Sequence, residues 1–171
     1  KRVLLTVAVA LLIPGLLAAA PATLGVYFGG TLGADPAPLT PFTAQLVLVQ
    51  SDYFVTAVEY QLNIPDANFA ILGVSYPANF SIENGAPLTG HSIAYWPPMT
   101  GYPDGYDVLA TFECLTMVDC ALMTGYPLTV GPHPDSGELR GTYSPDNEFL
   151  PIIGLTTYLC SDGVATESKS W

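Results

Sequence analysis

The sequence predicts an all-β fold in which two antiparallel sheets pack face to face. Several segments alternate apolar and polar residues with a period of two, which a half-buried antiparallel strand requires. The 16 prolines and 16 glycines are spread along the chain and would interrupt any long helix. No segment combines helix caps with an apolar period of 3.6 residues.

The first two predicted strands lie at 24–28 and 42–50. Gly29-Gly30 ends the first strand, and the three prolines of 31–41 predict a loop before the second. In the second strand the residues expected on one face are apolar: Phe42, Ala44, Leu46 and Leu48.

The clearest predicted strand is 54–64, followed after a proline-containing turn by 69–75. The residues of 54–64 that we expect to face inward are Phe54, Val58, Tyr60, Leu62 and Ile64. Those expected to face outward are Val55, Ala57, Glu59, Gln61 and Asn63.

The second half of the chain contains more short strands. They are predicted at 81–83, 92–96, 106–114, 127–130, 138–143 and 153–160. Asn84-Gly85 predicts a tight turn after the first of these. This succession of short strands favours an immunoglobulin-like sandwich, with a closed barrel as the alternative.

The beginning of the chain predicts a secretory signal peptide. Lys1 and Arg2 precede an apolar run at 3–20, and the small side chain of Ala22 suits cleavage just after it. The alternative is an uncleaved membrane anchor, which Pro14-Gly15 within the run disfavours.

Three segments follow from this interpretation. We expect residues 1–22 to be a signal peptide, 23–160 a β-sandwich domain, and 161–171 a polar C-terminal tail. The mature domain would then be secreted, either extracellular or periplasmic, without a stable membrane span.

The charge of the chain excludes one class of partner. The formal net charge is −11, and loss of the leader would leave Arg140 and Lys169 against 15 carboxylates. Such a surface repels phosphate backbones, so we expect no nucleic-acid partner.

The cysteine count is odd, with Cys114, Cys120 and Cys160. An exported chain with three cysteines has either one disulfide and a free thiol or an intermolecular bridge. We favour a Cys114–Cys120 disulfide closing a short loop between two strands, with Cys160 as the competing partner for either.

The stretch 95–107 is the strongest candidate binding segment. It places four aromatic residues, three prolines and two carboxylates in a predicted loop, where rigid aromatic faces can stack on sugars or partner side chains. The candidate ligand-binding residues are Trp96, Tyr102, Asp104, Tyr106 and Asp107. The alternative is an ordered loop whose aromatics cover the open end of the sandwich.

Acidic turns provide candidate ligands for Ca²⁺. The candidates are Asp135, Glu138, Asp146 and Glu148. Neither turn has the full spacing of an EF-hand loop, so the alternative is two solvated turns, and we expect no other cofactor.

Catalytic motifs are absent from the sequence. It contains two histidines, His91 and His133, but no nucleophile elbow and no zinc-protease motif. We therefore expect a protein that is not an enzyme.

One part of the chain resembles a known family. The run 55–65, followed by Phe69 and Leu72-Gly73, is similar to the early strands of cohesin-like sandwich domains, in which an alternating strand leads into an acidic or proline turn. The resemblance implies a bacterial, exported adhesion or scaffolding module and transfers no binding residues.

These observations predict a secreted, non-catalytic interaction module for adhesion, scaffold or surface-structure association. Its partner would be an extracellular protein or a polysaccharide. A carbohydrate-binding module using the 95–107 aromatics is the alternative, and a hydrolase with loop carboxylates is the third hypothesis. The short strand 24–28 is a candidate for edge pairing in a homo-oligomer.

Overall fold

The computed structural model describes residues 22–29, 33–49, 54–99, 105–123, 125–145 and 148–160. The strands are β1 (Ala22–Tyr27), β2 (Gly33–Ala34), β3 (Phe42–Val49), β4 (Phe54–Asn63), β5 (Phe69–Ser75), β6 (Phe80–Ala86), β7 (Gly90–Met99), β8 (Tyr106–Thr116), β9 (Tyr126–Gly131), β10 (Arg140–Ser144), β11 (Glu148–Gly154) and β12 (Thr156–Leu159). A 3₁₀ turn at Cys120–Leu122 separates β8 from β9. The predicted all-β class is confirmed.

The predicted leader, apart from Ala22 at the start of β1, lies outside the described residues, as does the predicted tail at 161–171. Within the described ranges, no helix has the length and apolar character needed to cross a membrane.

The strands form two antiparallel-rich layers. The first layer contains β5, β8, β3 and β1 in that order. The second contains β6, β7, β4, β10 and β11. Parallel pairing of β11 with β1 joins the two layers along one side. The end of β4 also pairs with β9, which continues to β12 and β2.

The core lies between the two layers and takes its side chains from both. Leu46 and Phe112 enter from the first layer, Val58 and Tyr60 from the second, and Leu128 from β9. Full burial of a large apolar side chain stabilises the fold by about 1.5–3 kcal/mol. The alternation in the sequence therefore identified the main inward positions of β3 and the central part of β4.

At the start of β4 the predicted inward and outward positions are wrong. Phe54, predicted to face inward, is 55% exposed, whereas Val55 is fully buried. The pairing of β4 with β7 shifts register between Val55 and Ala57. Such an irregularity changes the phase of alternation, so the inward positions before and after it do not share one period of two.

The predicted turn at Asn84-Gly85 is wrong, because both residues lie within β6. Gly85 pairs with His91 and has a φ of 82°, which glycine adopts without a Cβ clash. The reversal lies at residues 87–89 instead.

The edge-pairing prediction for 24–28 is also wrong. β1 is flanked by β3 on one side and β11 on the other, so its backbone is already paired. Among the described strands, β5 and β6 are the ones at the outer ends of the two layers.

The disulfide joins Cys120 to Cys160, so the predicted Cys114–Cys120 bridge is wrong. Cys114 lies inside β8 with its side chain buried in the core, and it is a free thiol. Cys120 lies beyond the end of β8 in the 3₁₀ turn, where its Cα is 4.7 Å from that of Cys160. The direction of the side chain, and not the spacing in sequence, decides the partner.

Candidate functional site

Seven of the eight residues of the predicted loop 95–107 that the structure describes belong to strands. Residues 95–99 belong to β7, and Tyr106 and Asp107 begin β8. Tyr102 and Asp104 lie outside the described residues. Trp96 is 73% exposed, whereas Tyr106 is half-buried and Asp107 is buried.

Tyr95 faces the core beside this exposed tryptophan. Its hydroxyl donates a hydrogen bond to the backbone oxygen of Leu109 at 2.7 Å. Burial, together with the charge of Asp107, raises the pKa of Tyr95, so the phenol stays neutral and able to donate. This bond links β7 of the second layer to β8 of the first.

The outer face of the second layer carries a continuous cross-strand row, which we call the apolar row. Directly paired positions place its members side by side: Ile82 with Ala94, Ala94 with Ala57, Ala57 with Thr142, and Thr142 with Phe149. Directly paired residues share one face of a sheet. Five strands at about 4.8 Å spacing make the row about 19 Å long.

Both ends of the apolar row are exposed. Ile82 is 65% exposed and Phe149 is 62% exposed. Trp96 lies on the same side of β7, since the preceding Tyr95 is buried and successive strand residues point to opposite faces. These three large apolar side chains are therefore presented to solvent by the second layer, whose β4 and β11 also expose Phe54 and Ile153.

A polar row borders the apolar row. Asn84 pairs with Ser92, Ser92 with Glu59, and Glu59 with Arg140. The Arg140 Nε donates to Glu59 at 3.0 Å, and its Nη1 donates to Glu138 at 3.0 Å.

Arg140 also connects the two rows. Its guanidinium carbon lies 4.4 Å from the centre of the Phe149 ring, within cation–π range. Hydrogen bonds to the two carboxylates raise the pKa of Arg140 against the opposing effect of burial. A hollow of about 40 Å³ lies at this junction, lined in part by Ala57, Thr142 and Phe149.

Three of the four predicted calcium ligands, Asp135, Glu138 and Glu148, lie in the part of the chain that the structure describes. Asp135 and Glu138 are exposed, and Glu138 is bonded to Arg140. Glu148 accepts a hydrogen bond from the Tyr143 hydroxyl at 2.8 Å, and Asp146 lies outside the described residues. In the described ranges, no group of three or more His, Cys, Asp or Glu side chains could hold a metal ion.

An open trough of about 360 Å³ lies on the first layer, across β3, β8 and β5. Its polar lining includes Thr43, Ser75, Thr111 and Glu113, most of them exposed to solvent. None of the predicted site residues that the structure describes lines it. We therefore assign the candidate site to the second layer.

Sequence reasoning identified Trp96 and missed Ile82 and Phe149. Ile82 lies in a predicted strand of three residues, too short for its face to be assigned. Phe149 lies outside every predicted strand. The signal available for both was an apolar side chain next to a carboxylate, in the pairs Ile82-Glu83 and Glu148-Phe149.

No family model and no curated protein matches the sequence. The fold matches solved structures of cohesins. The cohesin CaCohA2 from Clostridium acetobutylicum, in its complex with a variant of CaDoc0917, is 13% identical, with coverage of 82% of this chain and 99% of that chain and a TM-score of 0.56.

Two further structures agree with this match. A non-cellulosomal cohesin from Archaeoglobus fulgidus is 12% identical, with coverage of 85% of this chain and 96% of that chain and a TM-score of 0.54. The Coh-OlpA–Doc918 type I cohesin–dockerin complex from Clostridium thermocellum gives 8% identity, coverage of 82% and 99%, and a TM-score of 0.52. The chain therefore has a cohesin-like β-sandwich fold, as its resemblance to that family predicted.

Proposed function

We propose that this chain is a secreted, non-catalytic interaction module that binds a dockerin-like protein through the outer face of its second layer. The observation that carries the proposal is the exposure of Ile82, Trp96 and Phe149 on one sheet face. Three large apolar side chains on one continuous face are characteristic of an interaction surface.

The composition of the face supports a protein partner. Protein interfaces place apolar and aromatic residues at the centre and polar residues at the rim, with tryptophan prominent among the residues that contribute most to binding. Here the apolar row lies beside the polar row, and Arg140 covers part of Phe149. The arrangement combines aromatic anchors with groups able to form directional hydrogen bonds.

Fold similarity supports the dockerin-like character of the partner. Two of the similar cohesins were solved in complexes with dockerins, a CaDoc0917 variant and Doc918. The charges of this chain favour a partner with a positively charged surface. In and beside the polar row, Glu59 and Glu138 share the guanidinium of Arg140, and the whole chain carries a net charge of −11. A complementary partner offers an apolar centre surrounded by lysine or arginine.

Secretion is the remaining part of the proposal. It is supported by the predicted leader and by the Cys120–Cys160 disulfide, since structural disulfides persist in oxidising compartments. Detection of the processed chain outside the cytoplasm would test this part separately.

Biolayer interferometry with purified CaDoc0917 and Doc918 dockerin modules tests the binding claim. We expect at least one module to bind, and we expect Ile82→Ser and Trp96→Ala each to weaken binding by about tenfold or more, because both remove buried interface contacts.

Leu72→Ser is the matched control. Leu72 is 52% exposed on β5 of the first layer, so its loss should leave binding unchanged. Absence of binding by both modules, or equal weakening by Leu72→Ser, would contradict the proposal.

Polysaccharide binding is a second candidate function, favoured by one observation. The indole of Trp96 is 73% exposed and could stack on a sugar ring. Retention on immobilised polysaccharide that is lost in Trp96→Ala but kept in Ile82→Ser would favour this alternative, because sugar stacking needs the aromatic face alone.

A further inference from the structure

Three side chains with metal-ligating atoms meet beside the β6–β7 hairpin, and we call Tyr76, Glu83 and His91 the His91 triad. His91 Nε2 lies 3.2 Å from the Glu83 carboxylate and 3.2 Å from the Tyr76 hydroxyl. Tyr76 also donates a hydrogen bond to Glu83. One imidazole nitrogen, one carboxylate and one phenol oxygen therefore lie around a common point.

Strand pairing brings the triad together. Glu83 of β6 pairs directly with Ile93 of β7, and Ile93 follows His91 by two residues on the same strand. Directly paired residues share one face of a sheet, so Glu83 lies on the inner face with the buried Ile93 and His91. Tyr76 reaches the same place from the segment before β6, and its ring stacks on Phe80 at 4.1 Å between ring centres.

Tyr60 fixes the orientation of the His91 ring. His91 is fully buried, and its Nδ1 lies 2.8 Å from the Tyr60 hydroxyl. A hydroxyl oxygen both donates and accepts, so this contact persists when the ring hydrogen is on Nδ1 and the lone pair of Nε2 is used elsewhere. Metal-ligating histidines almost always have such a hydrogen bond at the second ring nitrogen. Nε2 is thereby directed towards Glu83 and Tyr76.

The spacing of the His91 triad fits a transition-metal ion. Nitrogen and carboxylate oxygen ligands bind Zn²⁺ at about 2.0–2.2 Å. Two ligands at that distance lie about 3.0–3.5 Å apart for bond angles between octahedral and tetrahedral. The two 3.2 Å separations from His91 Nε2 lie within this range. An ion would take the place of the hydrogens that lie between these atoms.

The ligand types select the class of ion. Imidazole nitrogen suits Zn²⁺ and Cu²⁺, whereas Ca²⁺ and Mg²⁺ take oxygen ligands. His91 and Glu83 alone are too few to hold an ion, and the phenol of Tyr76 supplies the third ligand. The His91 triad differs in place and in chemistry from the calcium turns that the sequence predicted.

The His91 triad is accessible on one side. The side chain of Glu83 is 47% exposed, whereas that of His91 is fully buried. An ion therefore has a route from solvent along Glu83, and the ligand that it meets at the inner end lies in a medium of low dielectric constant. Electrostatic attraction between an ion and its ligands is stronger there than in water.

We propose that the His91 triad binds one divalent transition-metal ion, Zn²⁺ or Cu²⁺, through Tyr76 Oη, a Glu83 carboxylate oxygen and His91 Nε2. Binding releases the hydroxyl proton of Tyr76 to solvent and leaves the single hydrogen of neutral His91 on Nδ1, facing Tyr60. The ion links β6 to β7 and to the segment before β6. This site does not depend on the proposed dockerin-like partner.

Isothermal titration calorimetry of the full chain with Zn²⁺ at about pH 7.5 tests the site. We expect one high-affinity ion per chain. Glu83→Gln and Tyr76→Phe should each weaken binding by about tenfold or more, because each removes one ligand. Both variants replace incompletely buried side chains by others of similar size, and circular dichroism would verify that the fold is kept.

Cu²⁺ provides a second readout, which identifies the phenol as a ligand. A phenolate bound to Cu²⁺ gives a charge-transfer absorption band in the visible region, and this band requires the phenolate. We expect the band in the wild type and its loss in Tyr76→Phe.

Two matched controls remove the same groups elsewhere. Tyr158→Phe acts on a tyrosine of β12 that is 39% exposed, and it should keep the copper band. Glu113→Gln acts on an exposed carboxylate of β8, and it should leave the Zn²⁺ affinity unchanged.

Three results would overturn the proposal. The first is no Zn²⁺ binding at concentrations up to about 1 mM. The second is equal affinity in the triad variants and the controls, which would place the ion elsewhere. The third is Cu²⁺ binding without a band that depends on Tyr76. Because no partner is used, failure of dockerin binding would leave each result interpretable.

Discussion

Ile82 and Trp96 extend from the same outer face of neighbouring strands. Ile82 pairs directly with Ala94, and Trp96 follows Ala94 by two residues, with the buried Tyr95 between them. Two large apolar side chains therefore lie together in solvent although each belongs to a strand whose other face is anchored to the fold. Ile82 and Trp96 therefore belong to the outer surface of the sheet, and Tyr95 belongs to the core.

Substitutions at this surface should leave stability nearly unchanged. We expect Ile82→Ser and Trp96→Ala to change the free energy of unfolding by less than about 0.5 kcal/mol, because both side chains are mostly exposed. The buried Leu46→Ala should lose about 2–5 kcal/mol in the same urea titration. A loss of more than about 1 kcal/mol at Trp96 would assign it to packing instead of binding.

The Cys120–Cys160 disulfide should contribute strongly to stability. It spans 40 residues of sequence, and a closed loop of that size is worth about 4 kcal/mol in the chain-entropy account. Cys120→Ser should therefore lower the thermal midpoint to nearly that of the reduced wild type. Little effect from either change, measured by scanning calorimetry, would show that the covalent link is energetically unimportant.

The free thiol of Cys114 should not react with thiol reagents until the protein unfolds. Burial, and less strongly the charge of Glu113, raises the pKa of Cys114 to about 12, so the reactive thiolate is scarce at neutral pH. Thiol titration should find one reactive group per chain in denaturant and almost none in the native protein. Cys114→Ala should remove that signal, and two further thiols should appear only after reduction. A labelled Cys120 in the unreduced protein would contradict the assigned pairing.

Tyr60→Phe should destabilise the fold near neutral pH. The change removes the 2.8 Å hydrogen bond between the Tyr60 hydroxyl and the buried His91 Nδ1, at a cost of about 1–3 kcal/mol. Urea unfolding of both proteins at about pH 7.5 measures this difference. Equal free energies of unfolding of the two proteins would contradict the account.

The sequence predicted the fold class because alternation is a local property. The inward residues of β3 and of the centre of β4 follow a period of two and need no knowledge of their neighbours. Bulges break that period, as at Val55 and Ala57, and depend on pairing with another strand. The outward orientation of Phe54 therefore could not be predicted from residues 54–64 alone.

Long-range pairing also explains what the sequence could not provide about the site. Trp96 was identifiable from its residue type and surroundings. Its association with Ile82 and Phe149 depends on the order of β6, β7, β4, β10 and β11 in the sheet, which no local pattern encodes. The same holds for Cys160, whose partner is set by the ends of β8 and β12.

Chemical-shift mapping tests the central claim most directly. The ¹⁵N-labelled chain would be titrated with unlabelled CaDoc0917 and, separately, Doc918 dockerin modules. The account predicts shift changes concentrated at Ala57, Ile82, Ala94 and Trp96, with Thr43, Thr111 and Glu113 of the first layer unaffected. Changes centred on the first layer, or none with either module, would contradict the claim that the outer face of the second layer binds a dockerin-like protein.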